Sequence, residues 1–162
     1  MTSGDFKDAH RRAMELAEEH YKTELSLENQ ICFFNCFPED SELNQSIKGL
    51  NLLMIAPNKF LDRKGDIVLM TSSYEGRGYH SLTSETGSRL FMNLGDSIVW
   101  RAFVKRRNLY VFSPNISKSD LYHLFPKSVQ LFKNWENLIN HLSEKRGQSP
   151  KAAIVPTSIQ LT

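Results

Sequence analysis

Cysteine is nearly absent from this chain of 162 residues, which holds only Cys32 and Cys36. They stand four apart in one apolar run. On an extended strand both would point the same way, with Cα atoms roughly 13 Å apart, which excludes a disulfide between them. The expectation is two reduced thiols in a cytosolic core. The sequence has no unbroken run of about 18 apolar residues, so no transmembrane helix is expected. Met1-Thr2-Ser3-Gly4-Asp5 lacks the basic-then-apolar layout of a secretory signal. These absences point to a cytoplasmic protein with no membrane partner. Excess charge is also scarce: a net +2 gives no argument for nucleic acid as a partner. His10, His20, His80, His123 and His141 fall into no metal-ligand spacing, and neither cysteine joins them in a cluster. The glycine-rich phosphate fingerprints and the G-x-S-x-G nucleophile elbow are missing too. The residues alone therefore imply no metal site, no bound cofactor and no recognisable catalytic set in this chain.

The rest of the composition is ordinary, with 40% apolar and 23% charged residues, enough for a single domain spanning 1–162 with a real core. Apolar steps of three and four predict an amphipathic helix over 5–21, through Phe6, Ala9, Ala13, Leu16, Ala17 and Tyr21. Short apolar runs at 30–35, 66–71, 108–113, 128–132 and 152–155 read as strands, the first two of them buried, with Lys64-Gly65 turning the chain into the second. Helical patterns lie between them, at 43–56 (stopped by Pro57), 79–92, 96–106, 119–124 and 135–145. Trp100 and Trp135 read as packing residues. Strands alternating with helices predict an α/β domain: a three-layer αβα arrangement around a mostly parallel, Rossmann-like sheet of about five strands.

Ligands of such sheets bind beyond the carboxyl ends of the strands. Two polar loops are expected there, 36–41 with Pro38, Glu39 and Asp40, and 72–78 with Glu75, Gly76, Arg77 and Gly78. The glycines allow positive φ and close approach to a ligand. Pro38, Asp40, Glu75, Gly76 and Gly78 are thus candidate cleft-lining residues, although Asp40 or Ser41 could equally cap the next helix. In that helix, at 100° per residue, Ile47, Leu50 and Met54 fall within about 40° of Leu43 and form the core stripe. Gln45 and Lys48 fall at about 200° and 140°, opposite the core and one turn apart, in the company of Leu52 and Ile55. Such a second face, part apolar and carrying Gln and Lys, is expected to stay exposed for another domain, a ligand or both. A small-molecule site built on loop 72–78 alone is a further option.

The order Pro38-x-Asp40, Gln45-x-x-Lys48-Gly49, strand, Glu75-Gly76-x-Gly78 resembles the C-terminal domain of the nickel-dependent lactate racemase family, over nearly the whole chain. The resemblance implies a two-domain isomerase, a 2-hydroxy acid racemase or epimerase, with its site in the cleft between domains. It implies a nickel pincer nucleotide tethered to a lysine of an N-terminal domain, which also supplies the catalytic histidines and the histidine nickel ligand. The cofactor takes hydride from the 2-hydroxy carbon and returns it to either face. By the match in Gln-x-x-Lys, Gln45 and Lys48 would be the substrate-binding residues, and the partners would be the cofactor-bearing domain and a small 2-hydroxy acid. No nickel ligand falls on this chain, which alone would be inactive. The chain departs from the family where a W-Q-x-Q-like stretch is expected: Gly95 stands near the tryptophan position, and Trp100 follows about a turn later. The alternative is a non-catalytic α/β ligand-binding or protein-interaction module that keeps the fold.

Overall fold

The apolar runs form one five-stranded sheet. The computed structural model describes residues 3–21, 26, 28–55, 61–78 and 107–158. The predicted helices over 79–92 and 96–106 lie outside the described residues, as do His80, Gly95 and Trp100. The strands are β1 (Asn29–Asn35), β2 (Leu61–Met70), β3 (Asn108–Phe112), β4 (Gln130–Phe132) and β5 (Ala152–Val155). They lie in the order β4-β3-β2-β1-β5, every pair parallel. Helix α1 (Phe6–Tyr21) precedes the sheet. α2 (Leu43–Ser46), a 3-10 turn (Ile47–Leu50) and α3 (Asn51–Ile55) follow β1. α4 (Lys118–Leu124) follows β3, and α5 (Trp135–Arg146) follows β4. Two caps fix the last two helices: Ser117 and Asp120 form a reciprocal capping box on α4, and the Asn134 side chain accepts Asn137 N–H on α5.

Alternation along the strands divides the core into two layers. Cys32, Phe34, Ile67, Leu69, Leu109 and Val111 pack under Leu43, Leu50, Leu53, Leu121 and Leu124 of the helices on one face. Ile31, Phe33, Val68 and Tyr110 pack under Leu138 and Leu142 of α5 on the other. The three-layer α/β reading of the sequence therefore holds, because a parallel sheet covered on both faces needs apolar side chains at successive positions. Cys32 and Cys36 are both free and buried within the first layer. Burial pushes each thiol up to about 12. Neither should react measurably with a disulfide reagent at pH 8 in the folded protein, since the thiolate is the nucleophile. Denaturant should release two equivalents, and rapid labelling of the native chain would contradict this burial.

The amino end of the sheet carries a buried ionic cluster. Asp66 of β2 is fully buried. It accepts hydrogen bonds from Lys145 Nζ at 2.8 Å, Arg146 Nε at 2.5 Å and Asn108 Nδ2 at 2.8 Å. Lys145 also donates to Tyr110 Oη at 2.6 Å, and Arg146 reaches the Lys64 carbonyl. Burial alone would raise the Asp66 carboxyl, but the hydrogen bonds and charges of Arg146 and Lys145 outweigh it and hold it below its ordinary value.

Three local expectations change. Lys64-Gly65 is not a turn but part of β2. Asn29 pairs with Leu61 while Ile31 pairs with Asp66, so the exposed residues 62–64 bulge out of the ladder without ending the strand. Helix α1 forms as predicted, yet Phe6 is 82% and Met14 60% exposed, so its apolar side is bare. The segment 43–55 is not one α-helix. Ser46 O accepts the Cys36 thiol at 3.2 Å, which draws one carbonyl out of the i→i+4 ladder and accounts for the tighter turn. At about 120° per residue, a 3-10 turn advances the helix by roughly 80° over four residues relative to an α-helix. Leu53 thereby swings onto the core stripe, fully buried, and Leu52 moves from the opposite side to a position only 9% exposed. The exposed second face expected at Leu52 is therefore absent; the side chain of Ile55 lies outside what is described.

Candidate functional site

Because β1 and β2 are neighbours, the loops that leave their carboxyl ends meet. They form a hydrogen-bonded clasp. Ser73 N donates to Asp40 O at 2.6 Å, Glu75 N to Ser41 O at 2.9 Å, and Ser72 N to the Asp40 carboxylate at 3.2 Å. Loop 72–78 also caps α2: Leu43 N donates to Gly76 O at 3.0 Å and Asn44 N to Arg77 O at 3.1 Å, while Asn44 Nδ2 reaches Gly78 O at 3.0 Å. Two of the orphan N–H groups at the start of a helix are thus satisfied by carbonyls distant in sequence. The capping expected of Asp40 or Ser41 is accordingly not found. Glu42 holds the N-cap position without a side-chain cap bond, and Asp40 turns toward Ser72 instead.

Glycine is required at two positions of this clasp. Gly78 has φ +84°, and a Cβ there would lie 1.9 Å from Glu42 Oε2 and 2.4 Å from Glu42 Cβ, with Glu42 itself buried. Gly49, the last residue of the Gln-x-x-Lys-Gly stretch, lies against the end of β1. A Cβ there would meet Ser158 Oγ at 2.7 Å and Cys36 Sγ at 2.9 Å. Gly76 also has positive φ, and Ser73 has φ +44°, a conformation a non-glycine residue adopts at a cost of about 1–3 kcal/mol. The surrounding bonds that hold Ser73 there make the clasp stiff.

The predicted substrate-contacting residues follow the clasp in the chain, Gln45 partly buried and Lys48 exposed. Lys48, about half exposed, forms an ion pair with Glu39 at 2.7 Å, across from the 36–41 loop. Gln45 is one turn earlier. In an α-helix positions i and i+3 are about 60° apart, but entry into the 3-10 turn brings them closer to eclipsed. Among the described residues, Gln45 Oε1 is buried with no hydrogen-bond partner. Such an acceptor costs about 1–3 kcal/mol until a donor reaches it. Pro38 follows a cis peptide bond from Phe37, and Phe37 and Tyr74 present exposed rings, one on each loop.

Residues that the sequence reading did not single out line the inner side. Ser46, Thr71 and Ser73 form a buried chain of hydroxyls, with Oγ–Oγ1 and Oγ1–Oγ separations of 2.6 and 2.7 Å. Ser113 Oγ and Asn115 Nδ2 both donate to Ser72 O, at 2.9 and 2.8 Å. On the other side of β1, where β5 returns and the strand order reverses, Ser158 Oγ donates to Asn35 O and Asn35 Nδ2 to Pro156 O. The only signal for them in the sequence is the row of Ser, Thr and Asn just past the apolar runs. Among the described residues no group of three or more His, Cys, Asp or Glu is placed to hold a metal ion, and no helix is long and apolar enough to cross a membrane.

No family model matches the chain, and no curated protein matches it. Among solved structures it is similar to the lactate racemase apoprotein from Thermoanaerobacterium thermosaccharolyticum, with a TM-score of 0.65 and 15% sequence identity. The match covers 95% of this chain and 40% of that one. At this identity the likeness shows the fold. The chain spans well under half the length of the protein it resembles.

Proposed function

We propose that this chain is the substrate-side domain of a 2-hydroxy acid racemase or epimerase, inactive alone, whose reacting centre is supplied by a separate N-terminal domain. The observation that carries the reading is the placing of Lys48 one turn after Gln45, whose Oε1 is buried without a hydrogen-bond partner among the described residues, at the carboxyl end of β1 on a fold similar to that of lactate racemase apoprotein. In this reading the Lys48 ammonium holds the carboxylate of a small 2-hydroxy acid. The Gln45 amide turns outward from its buried position, and its carbonyl accepts a hydrogen bond from the adjacent hydroxyl, the donor it lacks among the described residues. The two contacts fix the substrate's orientation toward the partner domain. The nickel pincer nucleotide implied by the resemblance finds no ligand set among the described residues, so no step is assigned to it in this chain.

The test is racemisation in the presence of a cofactor-bearing domain of the lactate racemase family, together with thermal melting. Lys48→Ala should lose about 1.5–3 kcal/mol of binding, roughly ten- to a hundredfold in substrate use, the worth of a charge-assisted contact. Its stability should change by no more than about 0.5 kcal/mol, as is typical of surface positions. Gln45→Ala should do less in binding, since a neutral amide forms the weaker bond. Full activity in Lys48→Ala would remove Lys48 from the site. A second reading, an interaction module that keeps the fold without the chemistry, is favoured by the exposed Phe6, Phe37 and Tyr74, since aromatic rings at a surface suit a protein partner. It predicts no effect of either substitution on any 2-hydroxy acid.

A further inference from the structure

The Lys48 ammonium, read above as the holder of a ligand carboxylate, already has a carboxylate. Glu39 Oε2 lies 2.7 Å from Lys48 Nζ, and the pair bridges the loop after β1 to the 3-10 turn nine residues later. Both side chains remain close to half exposed, 49% for Lys48 and 44% for Glu39. An ion pair this exposed is weakly held and can open toward solvent. The two ends of the pair differ in support. Lys48 is anchored on the 3-10 turn, whose Gly49 is pressed against the end of β1. Glu39 sits in the turn after the Phe37-Pro38 bond, its backbone N–H held by Cys36 O at 3.0 Å, and among the described residues Lys48 is the only side-chain partner of its carboxylate. Opening the pair therefore needs only side-chain rotation, with the backbone at both ends left in place.

We propose that Glu39 is a resident stand-in for the ligand carboxylate. It occupies Lys48 in the empty protein and is displaced when a small carboxylate ligand arrives, so that it sets the affinity threshold of the site. The inference rests on the assignment of Lys48 as the carboxylate-binding residue. It adds a residue that acts against binding, and a ligand class defined by what can displace Glu39: a small monocarboxylate that can reach the half-exposed Lys48. Gln45 then separates ligands that bring a hydroxyl donor from those that do not.

The experiment is an NMR titration of the full chain, following the Lys48 side chain, with sodium lactate and separately with sodium propionate, which has the same carbon skeleton and lacks the hydroxyl. Glu39→Gln and Glu39→Asp are compared with the unaltered chain. Glu39→Gln should tighten binding of both carboxylates about two- to fivefold, the range an exposed ion pair is worth. Glu39→Asp keeps the charge but shortens the reach to Lys48, and should tighten binding as well. If Glu39→Asp behaves as the unaltered chain while Glu39→Gln tightens, the effect is one of general charge and the displacement proposal falls. It falls equally if neither variant changes the affinity, or if no form shows a carboxylate-dependent shift at Lys48. If both variants tighten binding but lactate shows no advantage over propionate, Glu39 keeps its role and the 2-hydroxy acid reading is the one overturned.

Discussion

Asp66→Asn should lower stability by about 2–4 kcal/mol. Removing one partner of a buried ionic cluster typically costs about 3–5 kcal/mol because the remaining charges are left uncompensated. The lower range applies here because the Lys145 and Arg146 side chains keep 34% and 17% of their exposure and can turn partly into water. For a chain of this length the melting temperature should fall by roughly 5–15 °C. The same cluster sets a pH dependence. The carboxyl of Asp66 is held below its ordinary value of 3.8 in the folded state, so its contribution is fully present above that value. It is lost as the pH falls from there through the lower folded value, where both states bind the proton. Denaturant midpoints measured across pH 2–5 should show a steeper acid loss in the unaltered chain than in Asp66→Asn. Parallel curves for the two proteins would show that the cluster contributes nothing through its charge.

Gly78→Ala should cost about 2–6 kcal/mol. The left-handed backbone accounts for about 1–3 kcal/mol of this, and crowding against the buried Glu42 side chain for a similar amount. The second part has a distinct signature. Glu42→Gly removes all three atoms that the new Cβ would meet, Oε2, Cδ and Cβ, so the double variant should be less destabilised than the sum of the two single changes, by at least about 1 kcal/mol. Additive losses, measured by chemical denaturation of all four proteins, would show that the close approach is relieved elsewhere. Because Gly78 O also accepts Asn44 Nδ2, any shift of this glycine disturbs the start of α2 as well.

The fold was legible because a parallel sheet writes itself plainly. Residues 30–35 and 108–112 are apolar on both faces, so periodicity and length identify them as buried strands without any tertiary information. The meeting of loops 36–41 and 72–78 followed from the order of elements once β1 and β2 were taken as neighbours. The phase of the 43–55 helix could not be read in the same way. Its 3-10 turn depends on the Cys36 thiol reaching Ser46 O and on Gly49 pressing against Ser158, contacts that join segments distant in sequence. The cap on α2 was hidden for the same reason. Sequence reasoning looks for a capping side chain next to the helix, whereas here the acceptors are Gly76 O and Arg77 O. Gln45 and Lys48 kept their neighbourhood through the change of phase because both lie at its beginning. Leu52, further along, accumulated the extra rotation and ended in the core.

The strand order has a consequence for how the chain acquires its structure. β1 is flanked by β2 on one edge and β5 on the other, and the contacts joining β1 to β5 bring together residues 121 apart. Closing a loop of that length is entropically slow compared with forming the β1–β2 pair. On a ribosome, one edge of the most apolar strand would stay unpaired until residues 152–155 emerge. Through that interval Ile31, Cys32, Phe33 and Phe34 present an open ladder, the kind of edge that recruits a strand from another chain. The short, late β5 is therefore the segment that closes this edge of β1.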